Sequence, residues 1–398
     1  MQILEFSHDI GRHVAYVSTY PPRECGIATF TKDLIDAIDE FDEFNSSVIA
    51  VNETNGFYNY DRRVKCSIDR DSVEDYALAA EYVNSSPIEL VNLQHEFGLF
   101  GGECGENIEV FLDRVEKPVV TTLHTVHPNF SEKALDVLKS VAAKSSAIIV
   151  IARAAISILN NQGIRCENCA VIPHGCPHIE FFPDNKAVKE SLGFKNRFVI
   201  STFGLLSNGK GIEYAIGALP SIIEKEPSVL YLIIGETHPE VRKNEGEKYR
   251  NKLTHLVTEL GLEEHVKFNN RYLPKLELIR YLQATDVYLT PYISPYQISS
   301  GTLTYALGAG KAVVSTPYLH AQETLVGDRG VFCKFQDQAS IAEGVNKLLD
   351  AHIRSDIQKN AYRYSRQFLW QNVAGNYIKL FKTVIKNNRR IPIVASAC

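Results

Sequence analysis

The sequence predicts an α/β protein made of two doubly wound domains, each built on a parallel sheet. Three observations lead there. Short runs rich in β-branched residues alternate along the chain with amphipathic stretches of helical period. The alternation halts at a polar, proline-marked break, "CPHIEFFPDNK" (residues 176–186), and then restarts. At 398 residues the chain is also longer than one hydrophobic core comfortably supports.

In chain order, strands are expected at residues 14–19, 48–51, 64–68, 90–94, 119–124, 148–151 and 170–172, with helices among them at 73–83, 135–142 and 154–159. After the break, strands are expected at 198–203, 230–234, 266–268, 287–289, 312–315 and 331–333. Such alternation implies parallel strands covered by helices. Ligands of these sheets bind beyond the carboxyl ends of the strands, so the loops there are where function should lie. The first of them, "TYPPRECGIATF" (residues 19–30), joins a strand to a helix marked by Phe30, Leu34, Ile38 and Phe41 at helical spacing. A strand, a glycine-bearing loop and a helix N-terminus together point backbone N–H groups at an anion.

Composition excludes several classes of protein. With 45% hydrophobic and 22% charged residues the chain is ordinary for a globular protein. A formal charge of -5 argues against a nucleic-acid binder. The N-terminal "MQILEFSHDIGRH" lacks the pattern of a secretory leader, and no apolar run is long enough for a transmembrane segment. A cytoplasmic protein with reduced cysteines is expected, and peripheral contact with a membrane surface stays compatible with it. Cys166, Cys169, His174, Cys176 and His178 resemble a zinc ligand set in composition only, because the strand-like "AVIP" holds them apart and no second Cys-x-x-Cys follows. Neither Gly-x-Gly-x-x-Gly nor Gly-x-x-x-x-Gly-Lys-Ser/Thr is present.

Five segments carry a family resemblance: "VIPHG", "FGLLSNGKGIEYAI", "NRYLPKLELIRYLQATDVYLTPY", "LGAGKAVVST" and "FLWQNVAGNYIKLF". In order and spacing the chain resembles glycosyltransferase family 4, the retaining nucleotide-sugar enzymes of the GT-B fold within glycosyl transferases group 1. The resemblance implies two Rossmann-like domains facing a central cleft, an N-terminal acceptor-binding one at 1–178, a donor-binding one at 179–370, and a last helix (371–398) crossing back to the first. It implies transfer of a hexose from a nucleotide-sugar donor to a hydroxyl acceptor such as a saccharide. Without an obvious nucleophilic carboxylate, it implies front-side transfer in which the leaving phosphate takes the acceptor's proton. No Asp-x-Asp motif stands in the donor loops, so no metal cofactor is expected.

The resemblance also assigns roles. Lys210, kept from the family's phosphate loop, and His124, near the sugar's primary hydroxyl, are the expected catalytic residues. Gly26, Ile27, Lys210, Ser299, Ser300, Gly301 and Thr302 are expected to hold the donor phosphates, although Ser or Thr at 299–302 suits plain helix capping too. His124, Gln297 and Ser299 are expected at the donor sugar. Gly235, Glu236, Thr237, Arg271, Tyr272, Leu273 and Tyr305 are expected around the base and ribose. Arg23, His95, Glu96 and Arg153 are expected at the acceptor, where Gln94, His95 and Glu96 would otherwise brace the loop that follows, and Arg153 would otherwise pair on the surface.

The chain departs from the family at three places. Leu205 replaces an arginine, for which Arg23 is expected to substitute, and Gln297 and Tyr305 replace two glutamates. "QISSGT" (residues 297–302) also looks like the sugar- and phosphate-holding turn of glycogen phosphorylase, which makes a glycoside phosphorylase using inorganic phosphate the alternative reading. A non-catalytic sugar-binding protein on the same frame is the third. Cys25 reads as a small filler in the loop.

Overall fold

The computed structural model describes residues 11–54, 56–182 and 185–388. Most of the N-terminal segment read for a leader, and Cys398, lie outside the described residues. The chain divides into two compact units, Met1–Gly175 with Trp370–Cys398, and Cys176–Leu369.

In the first unit the strands are β1 (Arg12–Ser18), β2 (Phe44–Asn52), β3 (Val64–Asp69), β4 (Ile88–His95), β5 (Val119–Leu123), β6 (Ala147–Val150) and β7 (Cys169–Val171). They pair in parallel in the order β3-β2-β1-β4-β5-β6-β7. The second unit holds β8 (Phe198–Phe203), β9 (Val229–Ile234), β10 (Val266–Asn269), β11 (Val287–Thr290), β12 (Ala312–Ser315) and β13 (Val331–Phe332). Their order is β10-β9-β8-β11-β12-β13, again all parallel. Each unit is thus a Rossmann-like, doubly wound sheet. Strand order reverses between β1 and β4 in one and between β8 and β11 in the other, where loops leave toward opposite faces and open a crevice.

Every expected strand is present, but some ends differ. Phe44 to Ser47 extend β2 backwards because their backbones pair with β1 from Arg12 onward, a contact that polar Asn45, Ser46 and Ser47 do not advertise. The first helix runs Gly26–Asp39, so it ends before Phe41. Phe41, expected on its apolar stripe, is 41% exposed in the turn made by Asp42, whose φ is 51°.

Phe30, Leu34, Ile35 and Ile38 of that helix pack against Trp370, Tyr377, Ile378 and Phe381 of the helix Trp370–Asn388. The C-terminal helix therefore completes the core of the first unit. Tyr377 also places its hydroxyl 3.0 Å from Thr122 Oγ1 on β5. Gly175 passes under Trp370 so closely that a Cβ there would sit 2.2 Å from the indole. No helix among the described residues is long and apolar enough to cross a membrane.

At the amino ends of the second sheet lies a buried ionic cluster. Asp286 accepts from the Val199 amide at 2.7 Å and pairs with the Lys189 ammonium, which also donates to the Arg197 carbonyl. Lys311 is buried nearby, donates to the Gln283 carbonyl at 3.1 Å, and is pushed down to about 8 by burial, with Asp286 opposing that shift. Removing the Asp286 carboxylate takes from Lys189 this counter-charge. Asp286→Asn should therefore destabilise the second unit by about 3 kcal/mol, read from the midpoint of its urea transition, because a broken buried pair leaves an uncompensated charge.

Candidate functional site

In the second unit, the crevice between β8 and β11 is built from two loops. After β8 the chain makes a short turn, Asn208–Lys210, and enters the helix Ile212–Ile223 through Gly211. Gly211 has φ 63°, and a Cβ there would lie 2.1 Å from the Pro291 carbonyl, so only glycine allows this turn beside the end of β11. The turn sets Lys210 beside that same loop. Lys210 Nζ donates to the Tyr292 hydroxyl at 3.1 Å and lies 4.3 Å from the ring centroid. The Tyr292 hydroxyl is 2.9 Å from Thr302 Oγ1, which is 3.2 Å from Ser300 Oγ. Burial pushes the Tyr292 phenol up, but the Lys210 ammonium and the Thr302 hydrogen bond outweigh it and hold the phenol below its ordinary value.

Ser300 is the N-cap of the helix Gly301–Gly308: its Oγ accepts from the Leu303 amide at 3.3 Å, and its own N–H donates to His320 Nδ1 at 3.0 Å. The expectation that the Ser300 amide cradles a phosphate is thus corrected, since that N–H is already bound inside the unit. The amides of Gly301 and Thr302 open the first helical turn, where N–H groups lack intrahelical acceptors. Beside them are the Lys210 ammonium and the hydroxyls of Tyr292 and Thr302. Gln297 is exposed, and its Nε2 donates to the Ser299 carbonyl at 2.7 Å.

In the first unit, the crevice between β1 and β4 collects a different set. Cys25 caps the first helix with extended backbone and no side-chain capping bond, its Sγ accepting from Thr19 Oγ1 instead, and Gly26 is its first residue. A Cβ at Gly26 would meet nothing within 4 Å. Nothing in its own unit therefore requires glycine there. Ile27 packs on the core beside Cys25 and Cys104. At the ends of β4 and β5, Gln94 Oε1 is 2.8 Å from His124 Nε2, and the His124 amide donates to the His95 carbonyl. Phe30 sets its ring edge-on against His124 at 4.8 Å and lies 5.0 Å from His174 and 5.2 Å from Trp370. Burial, with His174 and His95 nearby, pushes the His124 imidazole down to about 3.

These geometries can now be set beside known proteins. Residues 184–366 match the family Glycosyl transferases group 1. The matched residues lie within the second unit. An uncharacterized glycosyltransferase of Methanocaldococcus jannaschii is 24% identical over 255 residues, which are 62% of this chain and 61% of that protein. Among solved structures, Anabaena HepE in complex with UDP and glucose shares the fold with a TM-score of 0.75 at 18% identity, covering 94% of this chain and 100% of that one. Sucrose-phosphate synthase from Thermosynechococcus elongatus has a TM-score of 0.77 at 17% identity, with 94% and 100% coverage.

Within the second unit, several residues expected at the base and ribose have structural partners. Tyr305 is 7% exposed and packs in the core near Phe203. Leu273 is likewise buried, under β9 and β8. Both side chains lie on the inner faces of their segments: Tyr305, expected to offer its hydroxyl to the ribose, is spent on the core, and Leu273 is left with its backbone for the base. Arg271 pairs with Glu277 at 2.5 Å, and Glu236 with Arg242 at 2.8 Å. Thr237 is buried on Glu247, and Tyr272 is half-buried. Gly235 lies so near Gly204 that a Cβ would come within 2.1 Å of its carbonyl oxygen.

In the first unit Arg23 is not a spare charge. Its guanidinium, 9% exposed, donates to the Val51 carbonyl at 3.1 Å and pairs with Glu53 at 3.0 Å, so the expectation that it replaces the family arginine at Leu205 is corrected by this internal pairing. Arg153 is exposed just beyond β6. Glu96 accepts from Thr125 Oγ1 at 2.6 Å and from the Phe97 amide at 3.1 Å, which is the loop-bracing arrangement, and burial raises its carboxyl. Tyr292, His320, Phe30 and Asn92 were missed in the sequence. Tyr292 was open to discovery as the aromatic hydroxyl directly after a strand; the others signal only core periodicity or loop position.

His95 is fully buried, both its ring nitrogens lack a hydrogen-bond partner among the described residues, and burial pushes it down to about 4. Its proton affinity is lower folded than unfolded. Its contribution to stability is therefore intact above about pH 6.5, the unfolded value, and lost as pH falls toward 4. His95→Phe, which suits the aromatic contacts with Phe97 and Phe100, should flatten the acid limb of a melting-temperature against pH profile between pH 6.5 and 4.

Proposed function

We propose that the protein is a retaining hexosyltransferase that moves a sugar from a nucleotide-sugar donor to a hydroxyl acceptor, with the donor diphosphate held by the second unit. One observation carries this reading: Lys210 and Tyr292, 3.1 Å apart, stand with Thr302 at the start of the helix Gly301–Gly308, at the strand-order reversal of the second sheet. A flexible ammonium, hydroxyls and unfilled helix amides are what a developing phosphate charge needs. The fold shared with HepE, whose structure holds UDP and glucose, supports the donor class.

The chemistry asks little else of the protein. In front-side transfer the leaving phosphate oxygen takes the acceptor proton while the new glycosidic bond forms on the same face. Lys210 donates to that oxygen as its bond to the anomeric carbon breaks. Tyr292, now paired with Lys210, releases the ammonium to the incoming phosphate and stays on Thr302. The first unit binds the acceptor hydroxyl, and its His124 meets a sugar hydroxyl. Charge stabilisation by Lys210 and amides makes a metal unnecessary in this reading. In this reading the protein works in a reducing, cytoplasmic setting, where its thiols stay reduced.

Turnover of UDP-, GDP- and ADP-hexoses with saccharide acceptors, compared with a disaccharide plus inorganic phosphate, tests the proposal. Transfer from a nucleotide sugar, equal with and without EDTA and with the anomeric configuration retained by NMR, is the expected result. Activity only with phosphate establishes the phosphorylase instead, and no activity with either leaves a binding protein.

Two substitutions separate function from folding. Lys210→Ala should lower kcat by 100-fold or more, on the order of the loss of one charge-stabilising donor, with the melting temperature held. Gly26→Ala, which meets no atom in its own unit and favours the helix by up to about 1 kcal/mol, should raise or keep stability while lowering turnover as its methyl obstructs the backbone's approach to ligand.

A further inference from the structure

We infer that Asn92 and Gln94 are positioning residues that fix the tautomer of His124, so that its imidazole meets the sugar as a hydrogen-bond acceptor through Nδ1. The inference rests on the proposed function in one respect, that a sugar hydroxyl is what reaches His124. The tautomer itself follows from the first unit alone.

The direction of each bond is forced from one end. The Val120 carbonyl can only accept, so the Asn92 atom 2.9 Å from it is the amide nitrogen Nδ2. Asn92 Oδ1 then faces Gln94 and can only accept, so Gln94 presents Nε2 to it at 2.6 Å. That leaves Gln94 Oε1, an acceptor, 2.8 Å from His124 Nε2. Nε2 must carry the hydrogen. In a neutral imidazole the other nitrogen, Nδ1, then holds the lone pair.

The surroundings keep this state. Asn92 and Gln94 are fully buried and His124 is 9% exposed, so water does not compete for the amides. Phe30 stands perpendicular to the ring and opposes its flip. The titratable groups facing His124 are His95 on β4 and His174 beyond β7, and both favour the uncharged ring, as burial does. No carboxylate is among the groups that act on it.

The consequence is specificity. An acceptor nitrogen rewards a donating hydroxyl and leaves a lone pair facing a lone pair when a carboxylate takes its place. The site therefore selects a neutral hexose over the corresponding uronate.

The test is the tautomer of His124 in the full chain labelled with 15N at its imidazoles, the His124 signals being assigned by their loss in His124→Asn. The expected result is hydrogen on Nε2 at pH 7 with no protonation down to pH 5. Gln94→Leu should let the Nδ1-protonated form appear. Gln94→Glu, close in shape but with an oxygen where the wild type donates to Asn92 Oδ1, should keep Nε2–H while raising the pKa of His124 by more than one unit, its folding being checked by its melting temperature. A wild-type ring protonated at Nδ1, or a tautomer and pKa that neither Gln94 variant moves, overturns the inference. With the active donor in hand, kcat/KM for the hexose should exceed that for its uronate by at least about tenfold in the wild type, a preference that Gln94→Leu narrows. Failure of all sugar transfer with the tautomer as expected defeats the proposed function and not this relay.

Discussion

The parallel pairing of β1 with β4, and of β8 with β11, is the constraint on which the functional geometry of each unit depends. Parallel neighbours need a helix to return the chain, and two that are not consecutive send their following loops apart. The space so opened is bordered by carboxyl ends of strands and by helix N-termini. In the second unit it receives Lys210 from one side and Tyr292, Ser300 and Thr302 from the other. In the first it receives Gly26 from one side and His95 and Glu96 from the other, with His124 arriving from β5.

Each crevice is held by a different kind of interaction. In the second unit it is polar and local: Gly211 lets the backbone turn against the Pro291 carbonyl, and Lys210, Tyr292, Thr302 and Ser300 form one connected chain. His320 fastens that chain from the next helix by accepting the Ser300 N–H. In the first unit the support is aromatic and distant. Phe30 is wedged between His124, His174 and Trp370, so the helix Trp370–Asn388 helps to orient an imidazole far earlier in the chain. Neutral, buried imidazoles and a phenol below its ordinary value are the electrostatic signs of these two environments.

The strands were legible because each is an apolar run bounded by turn residues. The ends were less so where backbone pairing alone decides them, as at Phe44 to Ser47 on β2. Among candidate site residues, Lys210 stood out as a cation after a glycine-rich turn, and the structure sets it beside Tyr292. Arg23 stood out equally, yet Val51 and Glu53 occupy it. Tyr305 and Leu273 were placed by resemblance, and their burial shows which face of each segment the core takes.

By itself the sequence determined the strand and helix alternation, the break that separates two doubly wound sheets, and the loops at which chemistry collects. These are local properties, written in period and composition. Only the tertiary structure decided which polar groups in those loops are already spent on one another, that Ser300 caps a helix, that Arg23 is neutralised, and that a carbonyl on β5 dictates where the His124 hydrogen resides. The physical reason is that a hydrogen bond joins atoms by distance and direction, and residues as far apart in the chain as Thr122 and Tyr377 meet only when the sheets have formed.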